Sequence, residues 1–171
     1  MQYILMLPLL WLFACLSVLL HELGHALGFR LGAGKKPWRV LAGSGPELFT
    51  VGRCTFHLFP VGGYFLPVDR DEPQTKRGKI LMLLGGPLTS LLLTALFFAL
   101  RFFVFVPDAA KGALYGMFAY LVTFLLIFNF FQFLFTALPI RYRVVCRGMI
   151  SDGRQIVRVL RNQDASKEVP Q

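Results

Sequence analysis

Three long apolar runs restrict the fold of this chain more than any other feature. They cover about residues 3–29, 80–106 and 113–139. Each is longer than the ~20 residues that a helix needs to cross a ~30 Å hydrocarbon core. The chain is 56% hydrophobic and only 16% charged, which is more apolar surface than a soluble domain of 171 residues can hide. The sequence therefore predicts an all-α membrane protein, a single domain over residues 1–171 with three transmembrane helices.

Positive charge is distributed unevenly between the connecting segments. Of the 18 Lys and Arg residues, nine lie in the loop of residues 30–79 and seven in the tail of residues 140–171, whereas only Lys111 lies between the second and third runs. Cytoplasmic segments of membrane proteins are enriched in Lys and Arg. We therefore expect a cytoplasmic loop and tail, with the N-terminus outside. Topology then accounts for the net charge of +9, and no nucleic-acid-binding motif accompanies it. The compact chain favours a bacterial plasma membrane.

The loop between the first and second runs has the composition of strands. Residues 36–66 are rich in aromatic and β-branched residues, and repeated Gly and Pro residues interrupt any helical pattern. We expect short strands in a β-hairpin-like, cytoplasmic or re-entrant element that is partly immersed in the membrane. Gly62 and Gly63 suit a tight turn in it, because glycine tolerates positive φ.

A polar motif interrupts the first apolar run, in the stretch LSVLLHELGHALGF of residues 16–29. His21 and His25 are four residues apart, so a helix places them on one face, where two imidazoles can bind one metal ion. A charged side chain in a membrane span costs about 2.5–3.5 kcal/mol on insertion scales, so such residues are usually functional. This setting favours a metal site over the alternative, histidines that are merely hydrogen-bonded in the core.

The pattern His-Glu-x-x-His also predicts a chemistry. Zinc lowers the pKa of a bound water to about 7 and polarises a carbonyl. Glu22 would take the proton of that water and pass it to the leaving amine. A catalytic zinc has three protein ligands, and the third could be His57, a cysteine or a carboxylate. Asp152 follows the third run on the same predicted side as HELGH, so the two could converge.

Four stretches together resemble the site-2 protease family of intramembrane zinc metalloproteases. They are HELGH, FPVGGYF (residues 59–65), LGGPLTSLLL (residues 84–93) and SDG (residues 151–153). Their order relative to the three runs is also similar to that of the family. The resemblance implies that His21, His25 and Asp152 bind Zn²⁺ and that Glu22 is the catalytic base. Gly62, Gly63 and His57 are candidate substrate-binding residues.

The resemblance implies an intramembrane endopeptidase that hydrolyses a peptide bond in or near a transmembrane helix, close to the cytoplasmic face. Its partners would be a membrane-protein substrate and the lipid bilayer. Two positions depart from the family. Ser90 stands where Asn is common, and twelve residues separate Pro139 from Asp152, a longer connection than the family usually has. We expect Ser90, with Gly85 and Gly86, to allow close helix packing.

Two other functions fit parts of the pattern. One is a catalytically inactive membrane protein that binds a partner's transmembrane helix. The other is a zinc-handling membrane protein, although such proteins usually have more spans. Asn129 and Gln132 could face the metal site, but we expect both to make interhelical hydrogen bonds. The tail stretch GRQIVRVLRN predicts an amphipathic helix with Ser151 or Asp152 at its N-terminus.

Overall fold

Three long helices and one β-hairpin form most of the fold. The structure is a computed structural model that describes residues 2–68, 73, 75–106, 111–142 and 150–162. The elements are α1 (Gln2–Ala33), β1 (Trp38–Val51), β2 (Cys54–Pro67), α2 (Lys76–Ala99) with a π-helical continuation (Leu100–Val104), α3 (Gly112–Ala137) and α4 (Asp152–Leu160). The protein is therefore mostly helical. The strands are 14 residues each, longer than the short strands that we expected.

The three long helices match the three apolar runs. By length and composition, the segments Met6–Ala33, Lys76–Val104 and Gly112–Ala137 could each cross a membrane. Two boundaries differ from the prediction, because α1 continues to Ala33 and α2 already begins at Lys76. Large apolar side chains stay exposed on these helices, among them Leu92 at 70% and Phe103 at 80%. Continuous faces of this kind suit an apolar surrounding.

The hairpin lies against α1 and curls back on itself. β1 and β2 pair antiparallel, but residues 40–42 face two segments of β2, residues 63–65 and residues 54–56. Val40 and Ala42 are buried against Val18 of α1. The indole nitrogen of Trp11 donates a hydrogen bond to the Leu58 carbonyl, at 2.7 Å. Because Trp11 is about 15 Å along the helix from His21, the hairpin extends well along α1 toward its N-terminus.

Glycines allow α1 and α2 to pack backbone against backbone. Gly24, Gly28 and Gly32 follow one another at four-residue spacing on α1. A Cβ atom on Gly28 would overlap the carbonyl of Leu81, and one on Gly32 would lie 2.6 Å from the Cα of Gly78. Small residues at this spacing are what close helix packing in membranes requires. The packing brings α2 directly over the HELGH turn of α1.

We expect the Gly28→Ala variant to be less stable than the wild type. The added methyl has no space against α2, and overpacking of this kind costs about 1–3 kcal/mol. The measurement is the thermal unfolding midpoint in mild detergent. The control is Gly116→Ala on α3, where a Cβ would meet no atom within 4 Å. Equal midpoints for the two variants would contradict the close helix contact.

Candidate metal centre

Helix α2 holds both histidine rings of α1. His21 and His25 are 2% and 6% exposed, and their ring centroids lie 5.0 Å apart. The Nδ1 atom of His21 is 2.8 Å from the hydroxyl oxygen of Ser90. The Nδ1 atom of His25 donates to the backbone carbonyl of Met82, also at 2.8 Å. Contacts at the second ring nitrogen fix the orientation of metal-binding histidines, and here they leave both Nε2 atoms facing Asp152.

Asp152 lies beside the two histidines despite the long connection that precedes it. Its Oδ2 atom is 3.4 Å from Nε2 of His25 and 3.7 Å from Nε2 of His21. Ser151 caps α4 and fixes this position. Its hydroxyl donates to the Leu138 carbonyl at 2.5 Å and accepts from the backbone nitrogen of Arg154 at 3.2 Å. The predicted amphipathic tail helix is thus confirmed, with Ser151 as its N-cap.

Two further contacts join the two ends of the segment that connects α3 to α4. Arg141 and Ile150 form an isolated antiparallel bridge, and the backbone nitrogen of Ser151 donates to the Ile140 carbonyl at 3.1 Å. A Cβ atom on Gly153 would overlap the carbonyl of Ala137. Gly153 therefore lets the first turn of α4 press against the end of α3. These contacts join the end of α3 to the start of α4, so Asp152 lies at the same end of the helices as HELGH.

The Asp152 carboxyl is in the ionised form that a metal ligand requires. Burial raises the pKa of this carboxyl, but hydrogen bonds to His21 and His25 and their electrostatic interaction with it outweigh burial and hold the pKa at about 2. The carboxylate is therefore negatively charged at neutral pH. Metal ligands must bind in the deprotonated state.

The three side chains fit a zinc ion. One ligand atom from each of His21, His25 and Asp152 lies within 4.8 Å of the other two, and no other such group occurs among the described residues. Two ligand atoms that are each about 2.1 Å from one ion lie roughly 3.4 Å apart in tetrahedral geometry. The space between them is kept open by Gly86, where a Cβ atom would overlap Nε2 of His25 and lie 2.6 Å from Nε2 of His21.

A cavity of about 940 Å³ opens onto this group, and Glu22 lines it together with the three ligands. Residues 60–67 of β2 line another part of the cavity, and α3 a third. The Glu22 side chain is 5% exposed and packs against Gly63, since a Cβ atom on Gly63 would lie 2.5 Å from Oε1 of Glu22. The carboxylate therefore faces the cavity beside the candidate metal ligands.

The loop candidates separate into two groups. Gly62 and Gly63 line the cavity, but both lie within strand β2, so the tight turn that we expected is wrong, and only Gly62 has a positive φ, of 71°. His57 does not line it. The Nδ1 atom of His57 instead bonds the Gly45 carbonyl at 2.8 Å, within the hairpin. His57 is therefore not a residue of the cavity, contrary to our expectation.

The comparison with protein families identifies the family of the chain. The model of peptidase family M50 matches residues 9–162. The chain belongs to peptidase family M50. Comparisons with curated proteins and with solved structures found no match. M50 is the site-2 protease family, so the resemblance seen in the four sequence stretches is confirmed. Membership implies intramembrane metalloprotease activity, and M50 peptidases are zinc enzymes. Together with the three apolar helices, it supports an integral membrane protein.

The sequence reasoning missed the role of Ser90 in this M50 peptidase. We expected Gly85, Gly86 and Ser90 to serve helix packing. Gly85 does so, because a Cβ atom there would overlap the Gly24 carbonyl. Ser90, however, is fully buried and its hydroxyl contacts His21. The available signal was a hydroxyl in an apolar span, at the position where the family commonly has another polar residue.

We expect Ser90→Ala to weaken zinc binding about 10–100-fold, the usual effect of removing such a supporting contact. The measurement is the zinc dissociation constant of the purified protein against a competing chelator. The matched control is Thr94→Val. The Thr94 hydroxyl donates to the Ser90 carbonyl one turn along the same helix, without touching a histidine. Unchanged affinity in Ser90→Ala would show that the contact does not support the metal ligand.

Asp152→Ala is expected to lose most of the bound zinc, because a catalytic zinc site needs three protein ligands. Zinc per chain, measured by elemental analysis after purification in mild detergent, should fall from about one to a small fraction. Arg154→Ala, two residues further along α4, should keep the metal. If Asp152→Ala retained its zinc in full, another residue would be the third ligand.

Proposed function

We propose that this protein is an intramembrane zinc endopeptidase that cleaves a peptide bond in or near a transmembrane helix of a membrane-protein substrate, close to the cytoplasmic face. One observation carries this proposal. Asp152, which is far from HELGH in sequence, meets His21 and His25 beside Glu22 at a cavity with mostly apolar walls. These are the residues that the family resemblance implies for the metal and the catalytic base.

The chemistry follows from the residues at the cavity. Zinc held by His21, His25 and Asp152 would supply a Lewis acid for the scissile carbonyl and lower the pKa of a water. Glu22 would orient the attacking water, take its proton as general base and deliver that proton to the leaving amine nitrogen. The backbone of Gly63 against the Glu22 carboxyl limits its movement. Burial of the carboxyl keeps bulk water away from the proton transfer.

The hairpin supplies a surface for an extended substrate. β2 pairs with β1 along one edge, and residues 60–67 of β2 line the cavity. A peptide could add to the cavity side of this strand through main-chain hydrogen bonds. A transmembrane helix must unwind first, because its carbonyls are engaged in helical hydrogen bonds. Because Gly62 and Gly63 have no side chains, the substrate backbone can approach this part of the strand closely.

The orientation is proposed from charge. HELGH lies toward the C-terminal end of α1, and this end is followed by the basic loop of residues 30–79. Asp152 and the start of α2 lie at the same end. Since Lys and Arg favour the cytoplasmic side, the site would face the cytoplasm and the N-terminus would lie outside. A bacterial plasma membrane remains a prediction from the sequence.

No observation favours the alternative of an inactive protein that binds transmembrane helices. The long connection before Asp152 was its motivation, because a displaced aspartate would leave zinc with two ligands. The contacts of Ser151 and Gly153 keep Asp152 beside the histidines. Glu22, the residue whose loss would most simply abolish catalysis, is present and lines the cavity.

We expect Glu22→Gln to retain zinc and to lower cleavage at least about 100-fold, since general acid–base catalysis contributes 10²–10⁴-fold. Glutamine keeps the size of the side chain but cannot accept the proton. The test measures release of a cytoplasmic reporter from a panel of single-span model substrates that are co-expressed with the protein.

The matched control for this variant is Glu47→Gln. Glu47 is an exposed hairpin residue that accepts a hydrogen bond from Thr50, at 3.0 Å, and does not line the cavity. Its variant should cleave at the rate of the wild type. Cleavage by Glu22→Gln at the rate of the wild type would rule out Glu22 as the catalytic base.

A further inference from the structure

Gln132 of α3 is a cavity residue that the proposed mechanism does not use. Its side chain lines the cavity, and its amide oxygen Oε1 is buried without a hydrogen-bond partner among the described residues. Such atoms are rare in folded proteins and call for an explanation. The amide oxygen of Asn129, one turn earlier, also has no partner, but Asn129 does not line the cavity, and its Nδ2 atom makes the expected interhelical bond to the Ser17 hydroxyl at 3.1 Å. The oxygen of Gln132 makes no such bond.

The rest of the α3 wall offers the substrate no free hydrogen-bonding side chain. The α3 residues that line the cavity are Phe124, Ile127, Phe128, Phe131, Gln132, Phe135 and Thr136. The Thr136 hydroxyl already donates to the backbone carbonyl of Gln132, at 2.9 Å within the helix. Gln132 is therefore the one described residue of this wall whose side-chain acceptor is unused.

An extended substrate needs an acceptor on this side of the cavity. In a strand added to β2, the backbone N–H and C=O groups point alternately toward β2 and away from it. The groups that point away enter a part of the cavity with mostly aromatic walls, where an unpaired N–H is costly. The terminal torsion of a glutamine side chain is soft, so rotation of the amide can turn Oε1 toward the cavity.

We propose that Gln132 binds the substrate, its side-chain oxygen accepting a hydrogen bond from a backbone N–H of the unwound segment on the side away from β2. This inference rests on the proposed peptidase function. It explains why an amide is retained in an apolar wall. It also implies recognition of the unwound backbone itself, independently of the side chains of the substrate.

The test uses zinc-loaded protein and hydroxamates, which bind zinc. The probes are acetohydroxamate, which has no peptide part, and two tetraleucyl hydroxamates with the hydroxamate at the carboxyl or the amino end. In further analogues each backbone N–H is replaced in turn by an ester oxygen. Dissociation constants are measured by titration calorimetry for the wild type, for Gln132→Met, which has similar volume but no amide, and for Thr136→Val as control.

We expect Gln132→Met to weaken binding of at least one tetraleucyl hydroxamate about 10-fold, the effect of one hydrogen bond in an apolar site, and to leave acetohydroxamate unchanged. One ester analogue should bind the wild type more weakly than the parent hydroxamate does, by a similar factor. The same ester analogue should bind Gln132→Met as tightly as the parent hydroxamate does. Thr136→Val should match the wild type. The inference would be overturned if Gln132→Met bound both tetraleucyl hydroxamates as tightly as the wild type does. It would also be overturned if every ester weakened binding to Gln132→Met by the same factor as binding to the wild type.

Two results keep this inference separate from the proposed function. If no ester weakens binding to the wild type, the inference fails whatever the variant does, including a variant that does not fold. If acetohydroxamate does not bind the wild type because no zinc is present, the metal centre itself fails, and the peptidase proposal fails with it.

Discussion

The contact between the backbones of α1 and α2 is the interaction on which the candidate site depends. Gly24 and Gly28 have no side chain, so backbone atoms of α2 approach α1 closely and α2 reaches the HELGH turn. At that distance the carbonyl of Met82 and the hydroxyl of Ser90 can bond the inner nitrogens of the two histidines. In an apolar surrounding no water is available to form hydrogen bonds with these nitrogens. The contact that packs α1 against α2 therefore also orients the two histidines.

The third ligand depends on a different kind of support. Asp152 belongs to the short helix α4 and not to one of the three long helices. Its position comes from the end of α3, where the Leu138 carbonyl accepts a hydrogen bond from the Ser151 hydroxyl, and from the absence of a side chain at Gly153. The helix cap of α4 thus also anchors the carboxylate. Both contacts join the end of α3 directly to the start of α4, outside the connection between Pro139 and Ile150.

The sequence allowed prediction of the features that depend on local pattern. The three helices follow from the apolar runs, and the pairing of His21 with His25 follows from helical spacing. The family signature suggested Asp152. The pattern could not reveal which side chains would meet across helices. Ser90 was assigned to packing although it contacts His21, and His57 was kept as a site residue although it bonds Gly45 within the hairpin. The curl of the hairpin depends on pairing of distant segments, which alternation of residue types does not encode.

The polar atoms of the fold divide according to whether their hydrogen bonds are complete. Along the helices, the hydroxyls of Thr89, Thr94 and Thr136 return to carbonyls of their own helix. At the cavity, the Nε2 atoms of the histidines have only the Asp152 carboxylate within 4 Å as a charged partner, the Glu22 carboxyl lines the same space, and the amide oxygen of Gln132 has no hydrogen-bond partner among the described residues. Leaving polar groups unpaired in an apolar environment lowers stability. Their concentration at one cavity is physically reasonable if a metal ion and an unwound peptide provide the missing partners.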